Sequence, residues 1–429
     1  MNRSLPLVFV FILLWLIAGC RVFSPPQSLD RKSINNLAYI YNPGSTTIHP
    51  MVTVFHQSDS ISDFYFGLPV SELQFSQANA TGDFLTQVRI YWELHENGIS
   101  GGKNPADTGT LVYTLRKDQL KSTFITSIPF RAAIGKQYTL RVFATDMIRR
   151  KSTEVFVTVN KSSAFTAQNF LVTGATISQP YLVRHFDSLQ KFRIIYRNPG
   201  YNTLYVSYYE NRQPLPRPLF SPEAEENMLA VPDSSWVLPL NDTMMYRLHK
   251  PGLYMFMVDT TKAEGLALFN YGDYFPQVKT IDDMIAPLAY LATTKEYQQL
   301  QSAPTKKLAM DDFWLKCAGN MEQAKELIRI YYNRVFFANY YFSADREGWK
   351  TDRGMIFLVF GPPNTLYKSE DEERWIYYKK PGESVLFDFK KASSPWSENL
   401  YYVTRTQAPD TRWRMAVDSW RSGKVFLLQ

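Results

Sequence analysis

Cysteine and histidine are scarce in this 429-residue chain: there are two cysteines, Cys20 and Cys317, and five histidines. Two thiols exclude a four-thiolate zinc site, an iron–sulfur cluster and a disulfide-rich framework. The histidines, His49, His56, His95, His185 and His249, are dispersed without ligand spacing, so no metal is expected. Long apolar runs are also missing: no segment beyond the N-terminus supplies the ~20 uninterrupted apolar residues of a spanning helix. Excess charge is small, with 47 Lys and Arg against 40 Asp and Glu, and the basic residues are scattered rather than striped. Nucleic acid is therefore not expected as a partner. No G-x-S-x-G, H-E-x-x-H, G-x-G-x-x-G or EF-hand pattern occurs. In the stretch from Gly98 to Asn104, a P-loop would need its first glycine at Asn97 and a Ser or Thr at Asn104, so it reads as a loop. What the chain does have is aromatic mass: 29 Phe, 27 Tyr and 9 Trp, which suit the half-buried face of a sheet and argue against an all-helical protein. Its length allows roughly two to four domains.

The N-terminus reads as an address. Arg3 supplies a short positive region, and Leu5 to Ile17 is an apolar stretch too short to span ~30 Å of hydrocarbon. Leu16-Ile17-Ala18-Gly19-Cys20 then resembles the lipobox of bacterial lipoproteins. That resemblance implies a signal peptide over residues 1–19, cleavage before Cys20, and a covalent lipid on the Cys20 thiol as the only attached group. Acyl chains anchor a protein through ~0.8 kcal/mol per buried methylene. Residues 20–32, with Pro25-Pro26, form the lipidated tether. Arg21, where an Asp would signal inner-membrane retention, and the lack of an acidic run after Cys20 imply the outer membrane and a periplasm-facing body.

Patterning along the remainder predicts a mixed β plus α+β fold. Two tandem antiparallel β-sandwich modules, residues 33–160 and 161–278, precede a helical connector at 279–309 and a small α+β domain at 310–429. Val88 to Leu94, Tyr138 to Ala144 and Val155 to Val159 alternate with period two, and Phe192 to Tyr196 and Leu253 to Val258 are strand runs of the second module. Tyr41-Asn42-Pro43-Gly44 and Arg197-Asn198-Pro199-Gly200 read as strand-ending turns, either marking related modules or using good turn chemistry twice. Pro214, Pro216, Pro218 and Pro222 mark a surface insertion. Asp282-Asp283 opens a helical region in which Tyr290 to Gln301 runs without Gly or Pro. Asn320 with Gln323 resembles a capping box for a helix carrying Ala324, Leu327, Ile328, Tyr331, Val335 and Ala338 on one face. Strands are expected at Met355 to Phe360, Arg374 to Tyr378, Val385 to Phe389 and Leu400 to Thr404.

One motif is specific. Gly348-Trp349-Lys350-Thr351-Asp352-Arg353-Gly354 leads toward Gly361-Pro362-Pro363-Asn364, with Phe313-Trp314, Tyr331 to Val335 and Ala338-Asn339 upstream and Arg374 to Tyr378 downstream. Over about residues 310–405 this resembles the GWxTD-domain family of bacterial envelope lipoproteins, found notably in Bacteroidota; Asn364 and Phe357 depart mildly from its pattern. The resemblance brings no reaction. Physically, Gly348 and Gly354 permit unusual backbone, Trp349 is an apolar plate, and Thr351 and Asp352 can cap or turn the chain. Arg353 could pair with Asp352 or with Glu370-Asp371-Glu372-Glu373, a run that reads as a solvated loop. The segment is thus either a rigid turn or an interaction site. Cys317 reads as a buried apolar residue.

The expected function is a non-catalytic scaffold or accessory subunit in an envelope assembly, export or surface-organisation complex, with a protein partner and a membrane contact through the lipid. Glycan or peptidoglycan binding through exposed aromatics is the alternative, and an envelope hydrolase follows behind it.

Overall fold

In the computed structural model, the described residues are 36–78, 82–98, 104–174, 180–210, 213–217, 219, 231–241, 243–380, 383–405 and 411–426. The expected leader, Cys20 and the tether lie outside them, as do residues 99–103 of the glycine-rich loop and Pro218 and Pro222 of the insertion.

Period-two patterning builds the first module. Strands β1 (Met51–His56), β2 (Ile61–Pro69) and β6 (Thr123–Arg131) make one antiparallel sheet. Strands β3 (Ser76–Ala78), β4 (Asp83–Glu96), β5 (Asp107–Arg116), β7 (Gln137–Asp146) and β8 (Lys151–Asn160) make the other. Val88, Ile90, Trp92 and Leu94 of β4 stand opposite Asp146, Ala144, Val142 and Leu140 of β7. These residues, Asp146 apart, meet Phe64, Phe66 and Leu68 of β2 in one buried core. Apolar burial at ~25 cal/mol per Å² is what holds the layers together.

The second module is a lopsided sandwich. Strands β9 (Phe170–Thr173) and β10 (Arg193–Tyr196) form a two-stranded sheet. It faces a four-stranded sheet of β11 (Thr203–Tyr209), β12 (Ser234–Pro239), β13 (Gly252–Met257) and β14 (Leu266–Asn270), ordered β12-β11-β13-β14. One face of β13 and β14 enters this module's core. The other, with Leu253, Met255, Ala267 and Phe269, packs around Trp396 from the C-terminal region.

Helices follow: α1 (Ile281–Ile285), α2 (Thr294–Ser302), α3 (Lys306–Ala318), α4 (Met321–Phe342) and α5 (Asp352–Phe360). A four-stranded meander comes next, β15 (Thr365–Lys368), β16 (Glu372–Lys380), β17 (Glu383–Lys391) and β18 (Tyr401–Val403), then α6 (Thr411–Arg421). The capping at Asn320 is present, its side chain accepting from the Gln323 N–H at 2.8 Å. Cys317 is buried.

Four local expectations are corrected and one open reading is decided. Met355 to Phe360 is the body of helix α5, not a strand. All nine of its residues are buried, so it has no polar face to show a helical period, and only its ends reveal its type. The run from Tyr290 to Gln301 is broken: a 3-10 turn ends at Tyr290 and α2 restarts at a Thr293–Glu296 capping box. Ala38–Tyr41 is a 3-10 turn rather than a strand. Asn42 and Asn198 each accept a hydrogen bond from the glycine two residues on, so the repeated Asn-Pro-Gly is one turn chemistry serving two different contexts. The acidic run is not all solvated, because Glu373 lies in β16 and is 1% exposed.

Residues 36–41, expected in the first β module, pack elsewhere. Leu37, Ala38 and Tyr41 belong to the C-terminal core, and the Leu37 N–H donates to the Leu366 carbonyl of β15 at 2.9 Å.

Candidate functional site

The motif is a close crossing of backbone. A 3-10 turn, Gly348–Lys350, lies on the end of α4, and α5 starts immediately after it. A Cβ on Gly348 would stand 1.9 Å from the Ala338 carbonyl oxygen, and one on Gly354 would stand 1.9 Å from the Gly348 oxygen. No side chain fits at either position, so the two glycines are required by proximity. Thr351 caps α5: its Oγ1 accepts from the Gly354 N–H at 3.1 Å and donates to the Gly348 carbonyl at 2.7 Å. Trp349 is 5% exposed. Its N–H donates to Asn339 Oδ1, its carbonyl accepts from the Tyr290 hydroxyl at 2.9 Å, and its ring meets that of Tyr290 edge-on. The Trp349 plate thus rests against Tyr290 of the helical segment.

The two charged motif residues face different partners. Asp352, 4% exposed at the start of α5, accepts from the Val403 N–H at 2.8 Å and from Arg405 Nη1 and Nη2 at 2.8 and 2.6 Å. An acidic side chain there also suits the positive end of the helix. Arg353 reaches through the core to the acidic run, of the two partners considered for it. Its Nη1 donates to Glu373 Oε1 at 2.9 Å, and its Nη2 donates to the Asn399 carbonyl and Oδ1, both at 2.6 Å. Its guanidinium stacks 4.2 Å from the centre of the Tyr401 ring.

Glu373 is the hub. Besides Arg353 it accepts from Lys368 Nζ and from the Tyr41 hydroxyl, each at 2.8 Å, and from Trp375 Nε1 at 3.0 Å. Burial alone would raise its pKa, but Lys368 and Arg353 overcome that and hold the carboxyl down to about 2. For Lys368, burial pulls downward and Glu373 outweighs it, so its pKa is raised. An ionised carboxylate with its lone pairs engaged and its cations fixed is a structural node, with neither free basicity nor an acidic proton to offer.

Other residues of the motif's neighbourhood bind it in place. Arg334 Nη1 donates to the Leu358 and Val359 carbonyls at the end of α5, at 3.0 and 3.1 Å, and stacks on Trp420. A cation suits a helix C-terminus. Arg334 is not one of the apolar residues that define the buried stripe of α4, yet it is 6% exposed.

A crevice of about 340 Å³ opens where the two β modules meet the C-terminal region, lined in part by Arg184, Lys391, Trp396 and Glu398. Trp349, Asp352 and Arg353 are not among its walls; Lys368, Asn399 and Tyr401, which hold the node, are. Lys391 Nζ bonds Thr158 Oγ1 at 3.0 Å and lies 3.7 Å from Glu398. Among the described residues, no group of three or more His, Cys, Asp and Glu side chains could hold a metal. The histidines stay apart: His49 pairs with Glu72, His56 with Ser62 and the Asn160 carbonyl, His95 with Glu93, and His185 packs on Phe275.

Of the residues that complete the site, Glu373 stood in a conspicuous acidic run. Tyr41, Lys368, Asn399 and Arg405 carried no local mark, because their roles depend on contacts across the fold. Fold and site together define a β-rich protein ending in an α+β domain organised around a buried ionic node. Residues 252–422 match the family model described as the GWxTD domain, so this part of the chain carries a GWxTD domain. The match starts well before residue 310, at β13, the strand whose outer face Trp396 covers. No curated protein matches the chain.

Proposed function

We propose that this GWxTD protein is an outer-membrane lipoprotein, anchored through lipid on Cys20 and facing the periplasm. It serves there as a non-catalytic scaffold or accessory subunit of an envelope assembly, export or surface-organisation complex. The observation that carries the reading is the engagement of the motif's own chemistry: Asp352 and Arg353, 4% and 0% exposed, are bound by Arg405, Glu373 and Asn399 and do not line the crevice of about 340 Å³. A motif used this way specifies a rigid body, and a rigid body presenting sheets and helices is what an assembly subunit needs.

The test has two stages. Labelling with palmitate should mark the wild-type chain and leave Cys20→Ser unlabelled, with the labelled protein in the outer-membrane fraction. Cross-linking in cells, followed by affinity purification from detergent-solubilised outer membranes, should recover a stoichiometric protein partner. Absence of any stable partner, or a hydrolytic activity lost on substituting Asp352 without loss of fold, would overturn the scaffold reading.

A further inference from the structure

The unequal layers of the second module leave a consequence at its edge. Four strands face two, and β12 is an edge strand of the wider sheet. The register sets Trp236 of β12 beside Val206, and Val206 beside Phe256 of β13, so Trp236 points to the same side as core residues. Yet Trp236 is 37% exposed. This end of the core opens into a cavity of about 370 Å³ between β12 and residues 244–250, within the size range of small-molecule pockets.

The wall chemistry selects the ligand. Three tyrosines line the cavity, and each hydroxyl already donates to a backbone carbonyl: Tyr208 to Pro251 at 2.7 Å, Tyr246 to Pro239 at 2.6 Å and Tyr254 to Lys250 at 2.9 Å. They present ring surface, not hydrogen-bonding groups. Met244 and Met245 add flexible thioethers that adapt to irregular apolar shapes. A sugar would leave its hydroxyls unmatched against such walls, whereas an alkyl chain would not. The rim is different. Tyr246 and Leu248 turn inward, and Arg247, His249 and Lys250 are exposed at the mouth. Arg247 and Lys250 make no ion pair among the described residues.

We propose that this cavity binds an amphipathic anion, with one acyl chain among Trp236, Tyr254, Phe256 and the two methionines and its carboxylate or phosphate at Arg247 and Lys250. The site stands independently of the scaffold reading. The chemistry is shared by a free fatty acid and an anionic phospholipid, and the experiment separates them. The full chain, held with neutral phosphatidylcholine vesicles, is exposed to diazirine-bearing palmitic acid, its methyl ester, or diazirine-bearing phosphatidylglycerol, and labelled peptides are mapped by mass spectrometry. Palmitic acid should label peptides spanning residues 234–256, and the methyl ester should label them about tenfold less. The double variant R247E/K250E, changed only at exposed positions and checked for an unaltered thermal melt, should lose about tenfold as well. Phosphatidylglycerol labelling of the same peptides identifies a membrane lipid as the ligand; labelling by the acid alone identifies a free fatty acid. Labelling spread over the other modules, equal labelling by acid and ester, or labelling indifferent to R247E/K250E would overturn the proposal.

Discussion

Replacing Glu373 by glutamine tests the node directly. The substitution keeps the size of the side chain but removes the anion that faces buried Arg353 and half-buried Lys368, at 1% and 17% side-chain exposure. Removing one partner of a buried pair costs about 3–5 kcal/mol, because an uncompensated charge stays behind. A second route gives the same scale. A carboxyl held at about 2 rather than its ordinary 4.5 corresponds to about 3 kcal/mol of linked stability. The sign follows from the depressed pKa: the contribution is complete above pH 4.5 and is lost as pH falls toward 2. Urea unfolding of the full chain, followed by tryptophan fluorescence, is the assay, since fully buried Trp375 bonds Glu373 and reports its surroundings. With a slope near ~3 kcal/mol per M, Glu373→Gln should lower the C-terminal transition by about 1–1.7 M and flatten its acid limb. Tyr41→Phe, which removes one hydrogen bond to the same carboxylate, should cost less, about 1.5–3 kcal/mol. If Glu373→Gln unfolds at the wild-type midpoint, or Tyr41→Phe proves the more damaging, the node does not hold the domain and the reasoning fails.

Gly354→Ala should destabilise by about 3 kcal/mol or more, since the new Cβ meets a backbone oxygen that no rotamer change can clear; calorimetry of the variant checks it. His56, buried at the end of β1, is held neutral to about pH 4 by burial, against the opposing hydrogen bond to the Asn160 carbonyl. Its unfolded form binds a proton near 6.5, so stability is complete above that pH and declines by ~3 kcal/mol as pH falls toward 4. His185, also lowered to about 4 by burial, adds to the same window, so His56→Gln should remove about half of the slope measured between pH 6.5 and 4. Burial raises the Cys317 pKa against the nearby Arg421, so Ellman's reagent should titrate this thiol only after urea unfolding. Rapid reaction in the native protein would contradict the packing.

Much of the architecture was legible because its causes are local. Alternation over Val88 to Leu94 needs only one sheet face to be wet, and Asn320 with Gln323 caps a helix without help from elsewhere. Helix α5 escaped because burial on all sides erases periodicity, although Thr351 before it and Gly361 after it marked its limits. The node escaped for another reason. Tyr41, Arg353 and Glu373 are brought together by the fold, and nothing in the neighbourhood of Tyr41 could announce a partner in β16. The motif residues were recognisable as a group, but their role in closing backbone against backbone is visible only in the 1.9 Å approaches at Gly348 and Gly354.

The docking of residues 36–41 bears on the order of synthesis. Tyr41 emerges from the ribosome 332 residues ahead of Glu373, and Leu37 far ahead of Leu366. At ~5–20 residues per second, this short segment waits tens of seconds for the sheet that receives it, while both β modules are made and can fold. A segment translated ahead of both β modules is therefore among the last to find its place. Until it does, the C-terminal core lacks part of its wall, and a fragment cut at the family boundary, residue 252, would never acquire it.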